Sequence, residues 1–278
     1  MNKVQLAAYT VITMLAFSGN SLLCRMALKE TSIDAASYTS IRLLSGAAML
    51  WILMRWQHKA PLKLGTWHSA AALFVYAIAL SFSYRSINAG AGALMLFGAV
   101  QLTMILAGFI SGERMSALQS LGFVAALAGL VILVSPSVEA PSIVDSILML
   151  ASGIAWGVYS LFGRTQSDPI AATGGNFLRA ALLSILMSIC TLPWLQLDTR
   201  GICYAVLSGA VTSGIGYVLW YRVLRHMSAI TASTIQLSSP LITTFGGVML
   251  LGEAFTRNLL IASLLILGGI RLVLRYGK

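Results

Sequence analysis

Ala16-Phe17-Ser18-Gly19-Asn20-Ser21-Leu22-Leu23-Cys24-Arg25 lies over Ala155-Trp156-Gly157-Val158-Tyr159-Ser160-Leu161-Phe162-Gly163-Arg164, an aromatic, small-polar, apolar, basic pattern written twice. The correspondence runs on in the same order. Arg42 matches Arg179, Tyr84-Arg85 matches Tyr221-Arg222, Gly112-Glu113 matches Gly252-Glu253, and Gly129 matches Gly269. Ordered matches at nearly constant spacing are hard to obtain from composition alone, so the chain reads as a duplication, residues 1–138 and 139–278.

The solvent of that duplicated unit follows from composition. Of the 278 residues, 58% are apolar and 9% charged, whereas soluble domains carry roughly 25% charged residues. So few charges cannot build a water-facing surface, and lipid must cover much of the exterior. A spanning helix needs about 20 mostly apolar residues. Ten segments meet this roughly, Val4–Leu23, Ala35–Met54, Trp67–Ser83, Ala89–Ile110, Ala117–Val134, Ile143–Phe162, Ala171–Leu192, Gly201–Trp220, Ala229–Leu251 and Asn258–Leu274. Five fall in each half. An odd number returns the chain to the membrane from the other side, so the second copy is inverted. The expectation is an all-α integral membrane protein of ten transmembrane helices arranged as two inverted five-helix repeats.

Basic residues fix the orientation. The end that holds the N-terminus carries eleven of them, including Arg55, Arg114, Arg164, Arg222 and Arg271, against five (Arg25, Lys29, Arg85, Arg200, Arg257) at the other. The positive-inside rule then places both termini in the cytoplasm, in a bacterial inner membrane.

Several function classes drop out. The formal charge of +10 is spread singly between apolar segments, with no basic patch for nucleic acid. Cys24, Cys190 and Cys203 have neither CxxC spacing nor histidine partners, so no metal or other cofactor is expected. The first apolar run is long enough to span and lacks a small-x-small cleavage site, which reads as a retained helix rather than a signal. There is no GxxxxGK[ST] loop for ATP and no HExxH or paired nucleophile and base for an intramembrane enzyme. The expected partners are a small-molecule substrate and the bilayer; monomer and homodimer both fit.

With these motifs in hand, the chain resembles the drug/metabolite transporter superfamily, specifically its ten-helix EamA-type permeases. The resemblance rests on Phe17 to Arg25 and Trp156 to Arg164, on Glu113 and Glu253, on Ser238-Ser239-Pro240-Leu241, and on Gly129 and Gly268-Gly269. It implies gradient-driven export or exchange of amino acids, related metabolites or small toxic compounds. One departure stands out: where the family carries a proline in the fourth helix, matching Pro240, this chain has Val100 followed by Gln101.

Polar residues inside spanning segments are costly and face an interior cavity when they serve function. Arg42 lies about two turns into its helix, where arginine costs roughly 2.5–3.5 kcal/mol. With Arg179 it forms either a pair of cationic contacts for an anionic substrate or two side chains that snorkel to headgroups or cap carbonyls. Asn20, Tyr84, Gln101, Tyr159, Asn176, Tyr217, Trp220 and Gln236 complete the candidate substrate contacts, and Pro240 is the candidate hinge, its ring crowding the carbonyl of Gln236. All eight acidic residues fall near expected helix ends, which favours anionic or amphoteric solutes over cationic drugs. Glu113 and Glu253 read either as functional groups or as helix-end charges paired with Arg114 and Arg257.

Overall fold

The computed structural model describes residues 1–56, 65–87, 89–134, 142–251 and 256–276. Glu139, His58 and the Gly252-Glu253 pair lie outside the described residues. Among the described residues there are twelve α-helices: α1 (Lys3–Glu30), α2 (Ala35–Trp56), α3 (Trp67–Ser83), α4 (Ala89–Ile110), α5 (Ala117–Val134), α6 (Ile143–Arg164), α7 (Pro169–Thr191), α8 (Thr199–Leu207), α9 (Gly216–Leu224), α10 (Ala229–Gln236), α11 (Ser238–Leu251) and α12 (Arg257–Tyr276). No strand occurs among the described residues.

Every expected segment lies on helix, and two are interrupted. The eighth is one rod, Thr199–Leu224, in which a π-helical stretch at Ser208–Ile215 joins α8 to α9. The ninth breaks at Leu237, three residues before Pro240, where the proline ring removes the room for a regular turn at Gln236. Most helix starts carry a side-chain cap written in the sequence. Asn2, Thr66, Ser142, Asp168, Asp198 and Ser228 each accept from an amide three residues on, satisfying a donor that the first helical turn leaves unpaired.

The side chains are distributed inside-out relative to a soluble bundle. Val4, Ile110, Ile143 and Leu264 stand largely exposed, while Asn20, Arg42, Gln101, Asn176, Ser213 and Gln236 are buried. Burying polar groups while exposing apolar ones is stable only when the outer solvent is hydrocarbon. Among the described residues, five rods, Lys3–Glu30, Ile143–Arg164, Pro169–Trp194, Thr199–Leu224 and Arg257–Tyr276, are long and apolar enough to cross a membrane by length and composition. The chain is thus an all-helical integral membrane protein.

Helix packing crosses between the halves. α1 lies against α8, α9 and α11; α6 lies against α3 and α4; α2 packs on α7 and on the α8–α9 rod; α7 also touches α3; α4 meets α10. α5 and α12 pair most extensively. They approach backbone to backbone, for a Cβ on Gly122 would meet the Gly269 carbonyl at 2.7 Å. Such contacts replace the missing hydrophobic drive between helices in lipid with close van der Waals packing.

Candidate functional site

The middle of the bundle is polar and aromatic. Arg42, 1% exposed, projects from α2 into a ring of hydroxyls. Its Nε donates to Ser213 Oγ at 3.1 Å, and its Nη2 donates to Tyr217 Oη at 2.7 Å and to Tyr76 Oη at 3.4 Å. Tyr217 Oη donates in turn to Tyr76 Oη (3.3 Å), and Asn20 Nδ2 to the same oxygen (3.3 Å). Asn20 Oδ1 accepts from Ser208 (2.6 Å) and Ser213 (3.4 Å). The guanidinium also lies over the Tyr76 ring, 5.3 Å from its centroid. Four rods therefore converge on one cation: α1, α2, α3 and the α8–α9 rod.

The π-helical stretch has a local purpose in this network. Ser208 and Ser213 are five residues apart, a spacing that an α-helix turns roughly 140° out of line. With i→i+5 hydrogen bonding the two come onto one face, and both reach Asn20. The same stretch lets α2 approach, since a Cβ at Gly209 would fall on the backbone and hydroxyl of Arg42 and Ser45.

Aromatic rings wall the cation in. Trp156 sits 4.7 Å from Tyr217, 4.8 Å from Tyr76 and 5.1 Å from Phe17, centroid to centroid. Trp156 Nε1 donates to Gln236 Oε1 (2.6 Å), placing that amide beside the wall at the break between α10 and α11. Trp220 packs on Phe17 and donates to Ser160 Oγ (3.0 Å). Beyond Tyr217 comes Tyr159, 6.0 Å away by ring centroid, whose backbone carbonyl accepts from Tyr221. Among the described residues, Arg42 Nη1 and Gln101 Oε1 are buried with no hydrogen-bond partner, and Tyr38 Oη, Tyr159 Oη and Thr173 Oγ1 are buried without a well-formed one. An unmade bond at such a depth costs about 1–3 kcal/mol, so atoms of this kind mark where a ligand or water completes the structure.

The structure thus gathers Asn20, Arg42, Tyr217, Trp220, Tyr159 and Gln236 around one centre, and sets the other sequence candidates apart. Arg179 is half-buried, donates to its own helix at Gly175 O (2.9 Å) and lies over the Trp67 ring at 5.8 Å. Asn176 Oδ1 accepts from the Thr66 amide (3.0 Å), anchoring the start of α3. Tyr84 closes the end of α3, and Gln101 Nε2 donates to the Ser233 carbonyl, tying α4 to α10. Pro240 stands just past the Leu237 break, with Ser239 O accepting from Ser18 on α1 (3.0 Å). The sequence does not single out Tyr76, Ser208 or Tyr38, and Ser213 beside Gly214 and Gly216 reads as helix packing. The serines resemble small packing residues, and Tyr76 and Tyr38 resemble the aromatics of an interfacial belt.

Carboxylates close both ends of the bundle. Glu113 pairs with Arg164 at 3.0 Å and accepts from the Ala229 (3.0 Å) and Ile230 (3.2 Å) amides at the start of α10. Its cation is therefore Arg164 of the other half, where sequence proximity suggested Arg114. At the opposite end, Asp34 accepts from the Ala36, Ser37 and Gln196 amides, each at 2.9 Å. Burial works against the Asp34 carboxylate, but the hydrogen bonds from Ser37, Gln196 and Ala36 outweigh it and hold its pKa below the ordinary value.

Residues 145–275 match the profile of the EamA-like transporter family. An uncharacterised protein of Pseudomonas aeruginosa is 50% identical over 95% of this chain and 93% of its own length. A Salmonella typhimurium protein named as a probable amino-acid metabolite efflux pump is 25% identical over 66% of each chain. A solved crystal structure superposes on the whole of both chains with a TM-score of 0.83 at 19% identity, which speaks to the fold alone.

Proposed function

Because the chain belongs to the EamA-like transporter family of the drug/metabolite transporter superfamily, and is a membrane transporter rather than an enzyme, we propose that its polar centre binds small carboxylate-bearing metabolites, amino acids and their relatives among them, and passes them across the bilayer by alternating access without ATP. The observation that carries this reading is Arg42. A buried cation with one nitrogen unpartnered, held by tyrosine and serine hydroxyls, is a receptor for one oxyanion. The name of the Salmonella relative agrees with carboxylate cargo.

Ten spans in two inverted five-helix units are part of the proposal, with both termini in the cytoplasm of a bacterial inner membrane. Helix packing supports it. Exchanging the halves turns the contacts of α1 with the α8–α9 rod and α11 into those of α6 with α3 and α4, while α2–α7, α4–α10 and α5–α12 map onto themselves. A unit used in two orientations gives inward-open and outward-open states of similar energy, between which a bound solute shifts the population. The Leu237 break, with Pro240 beside it, is the hinge of that change, and the Glu113–Arg164 pair closes its cytoplasmic end.

The test is a panel of carboxylates, amino acids and neutral analogues screened for thermal stabilisation of the detergent-solubilised protein, since a ligand of the folded state raises its stability. Solutes that stabilise it should then show counterflow in vesicles. Stabilisation by neutral analogues as strong as by carboxylates removes Arg42 from the reading. Reporter fusions that put Arg55 and Arg200 on one face of the membrane remove the inverted topology.

A further inference from the structure

Charge and hydrogen-bond supply around Arg42 narrow the class of carboxylate. The described carboxylates all sit at or beyond helix ends, and most are committed there. Asp34, Asp168 and Asp198 accept from the first turns of α2, α7 and α8. Asp145 accepts from Ser142 at the start of α6, Glu113 is held by Arg164 and α10, and Glu30 is exposed at the end of α1. Among the described residues, none touches the Arg42 cluster.

The acceptors within the cluster are spent as well. Asn20 Oδ1 takes two hydroxyls, Tyr76 Oη takes Arg42, Asn20 and Tyr217, and Tyr217 Oη takes Arg42 at 2.7 Å. Ring faces offer little to a second cation. Tyr76 already carries the guanidinium, and Trp156, Tyr217 and Phe17 are packed on one another. On α2, Arg42 Nη1 has no hydrogen-bond partner among the described residues, and Tyr38 Oη, beside Ser208 and Cys24, makes no well-formed bond. The two residues are four apart on one face of the helix, and the proposed carboxylate is seated there.

A monoanion in this seat leaves the centre neutral. A zwitterion leaves it with a net positive charge, because its ammonium lies within a few bond lengths of the guanidinium and meets no carboxylate among the described residues. Burying an uncompensated charge is far more costly than burying a hydrogen-bonded neutral group. We infer that the preferred solute is a small monoanion, a carboxylate whose amino group is absent or acylated, rather than a free zwitterionic amino acid. The inference rests on the transport reading above and sharpens its substrate.

Matched ligand sets test it on the unmodified protein. For alanine, leucine and phenylalanine skeletons, the N-acetyl L-amino acid, the free L-amino acid and the L-amino acid amide are titrated against the detergent-solubilised chain, with the unfolding midpoint as readout. The expected result is that an N-acetyl acid binds about tenfold or more tightly than its free amino acid, with the amide weakest. Arg42→Gln should abolish the preference and Arg42→Lys should keep it; if Arg42→Gln does not fold, the wild-type ratios decide. A free amino acid that binds as tightly as its N-acetyl form overturns the monoanion and leaves carboxylate transport standing. An amide that binds as tightly as either, or no stabilisation across all three skeletons, overturns the carboxylate reading of the Arg42 site and this inference with it.

Discussion

Arg42 in the first half and Arg179 in the second hold matched places in the sequence, and their surroundings diverge. Arg42 is buried among the hydroxyls of Ser213, Tyr217 and Tyr76, contributed by other rods. Arg179 bonds a carbonyl one turn earlier in its own helix and leans over Trp67 at the start of α3. Other arginine–aromatic pairs, Arg55 with Trp51, Arg222 with Tyr9 and Arg275 with Tyr276, mark that same end of the bundle. The cause lies in the partners. Tyr217 stands four residues before Tyr221; four residues before its match, Tyr84, stands Leu80, buried and without a hydroxyl. A helical side chain leans toward the N-terminus of its helix, so Arg179, with no such hydroxyl to catch it, turns back toward the end where α7 begins. On the proposed duplication both copies keep the arginine, and the neighbours decide which one is placed as the proposed receptor.

The largest effect expected from this contrast is on binding. Arg42→Ala removes the cation and strands the hydroxyls that surrounded it, and charge-assisted bonds of this kind are worth about 1.5–3 kcal/mol each. Carboxylate binding, read from ligand-induced shifts in the unfolding midpoint, should weaken about a hundredfold or more. Arg179→Ala should change it by less than about twofold, as suits a residue bonded to its own helix. Equal losses in the two variants would mean that the halves share the binding role, and the asymmetry argued above would be wrong.

Tyr217→Phe asks the next question, whether the hydroxyl absent at Leu80 is what fits Arg42 to be the proposed receptor. The ring stays in the aromatic wall, and only the 2.7 Å bond to Nη2 and the bond to Tyr76 are lost. A net loss of about 1–1.5 kcal/mol corresponds to roughly a tenfold weaker carboxylate. Unchanged affinity in this variant would leave Ser213 and Tyr76 as sufficient partners, and the absence of a hydroxyl at Leu80 would no longer explain the divergence.

Much of the fold was legible because lipid imposes simple rules. Apolar runs of spanning length, with charges confined between them, lie where the helices lie. The interruption near Pro240 was legible for the same reason: a missing N–H and a crowded carbonyl have few solutions. The site was legible only in part. Arg42, Asn20 and Tyr217 betray themselves as polar groups deep in apolar segments. Ser208 and Ser213 did not, since a regular α-helix would point them apart, and no local signal announces the π-helical stretch that aligns them. Asn176 and Gln101 are equally deep and polar, yet their hydrogen bonds go to the Thr66 amide and the Ser233 carbonyl. Depth and polarity say that a partner exists, not whether it is a ligand or the backbone.

A smaller effect separates the end of the bundle where α2 begins from the end where α7 begins. Asp34 ties the start of α2 to Gln196, a contact between the halves, whereas Asp168 caps α7. Asp34→Ala should lower stability by about 1 kcal/mol, a typical cap loss. Its pH dependence has a definite sign. The folded-state pKa lies below the ordinary value, so the contribution is complete above the ordinary carboxylate range, near about 4, and disappears as pH falls through the lower folded value. The gap in unfolding midpoint between wild type and Asp34→Ala should therefore close on acidification. A gap that widens at low pH would show that the carboxyl is not acting as a hydrogen-bonded anion.

The smallest effect falls on Arg179 itself. Trp67→Leu removes the ring under its guanidinium and keeps an apolar side chain at the helix start. An exposed cation–π contact is worth about 0.5–1 kcal/mol, and Trp67 is more than half exposed (56%). Trp67→Leu and Arg179→Ala should thus each cost little, and the double variant should cost less than their sum, because the two remove the same interaction. Carboxylate affinity should stay level through all three. If affinity instead falls with Trp67→Leu, the side chain at Arg179 is being held for the substrate rather than for the interface. The second half would then carry a binding role that its hydrogen bond to Gly175 does not suggest.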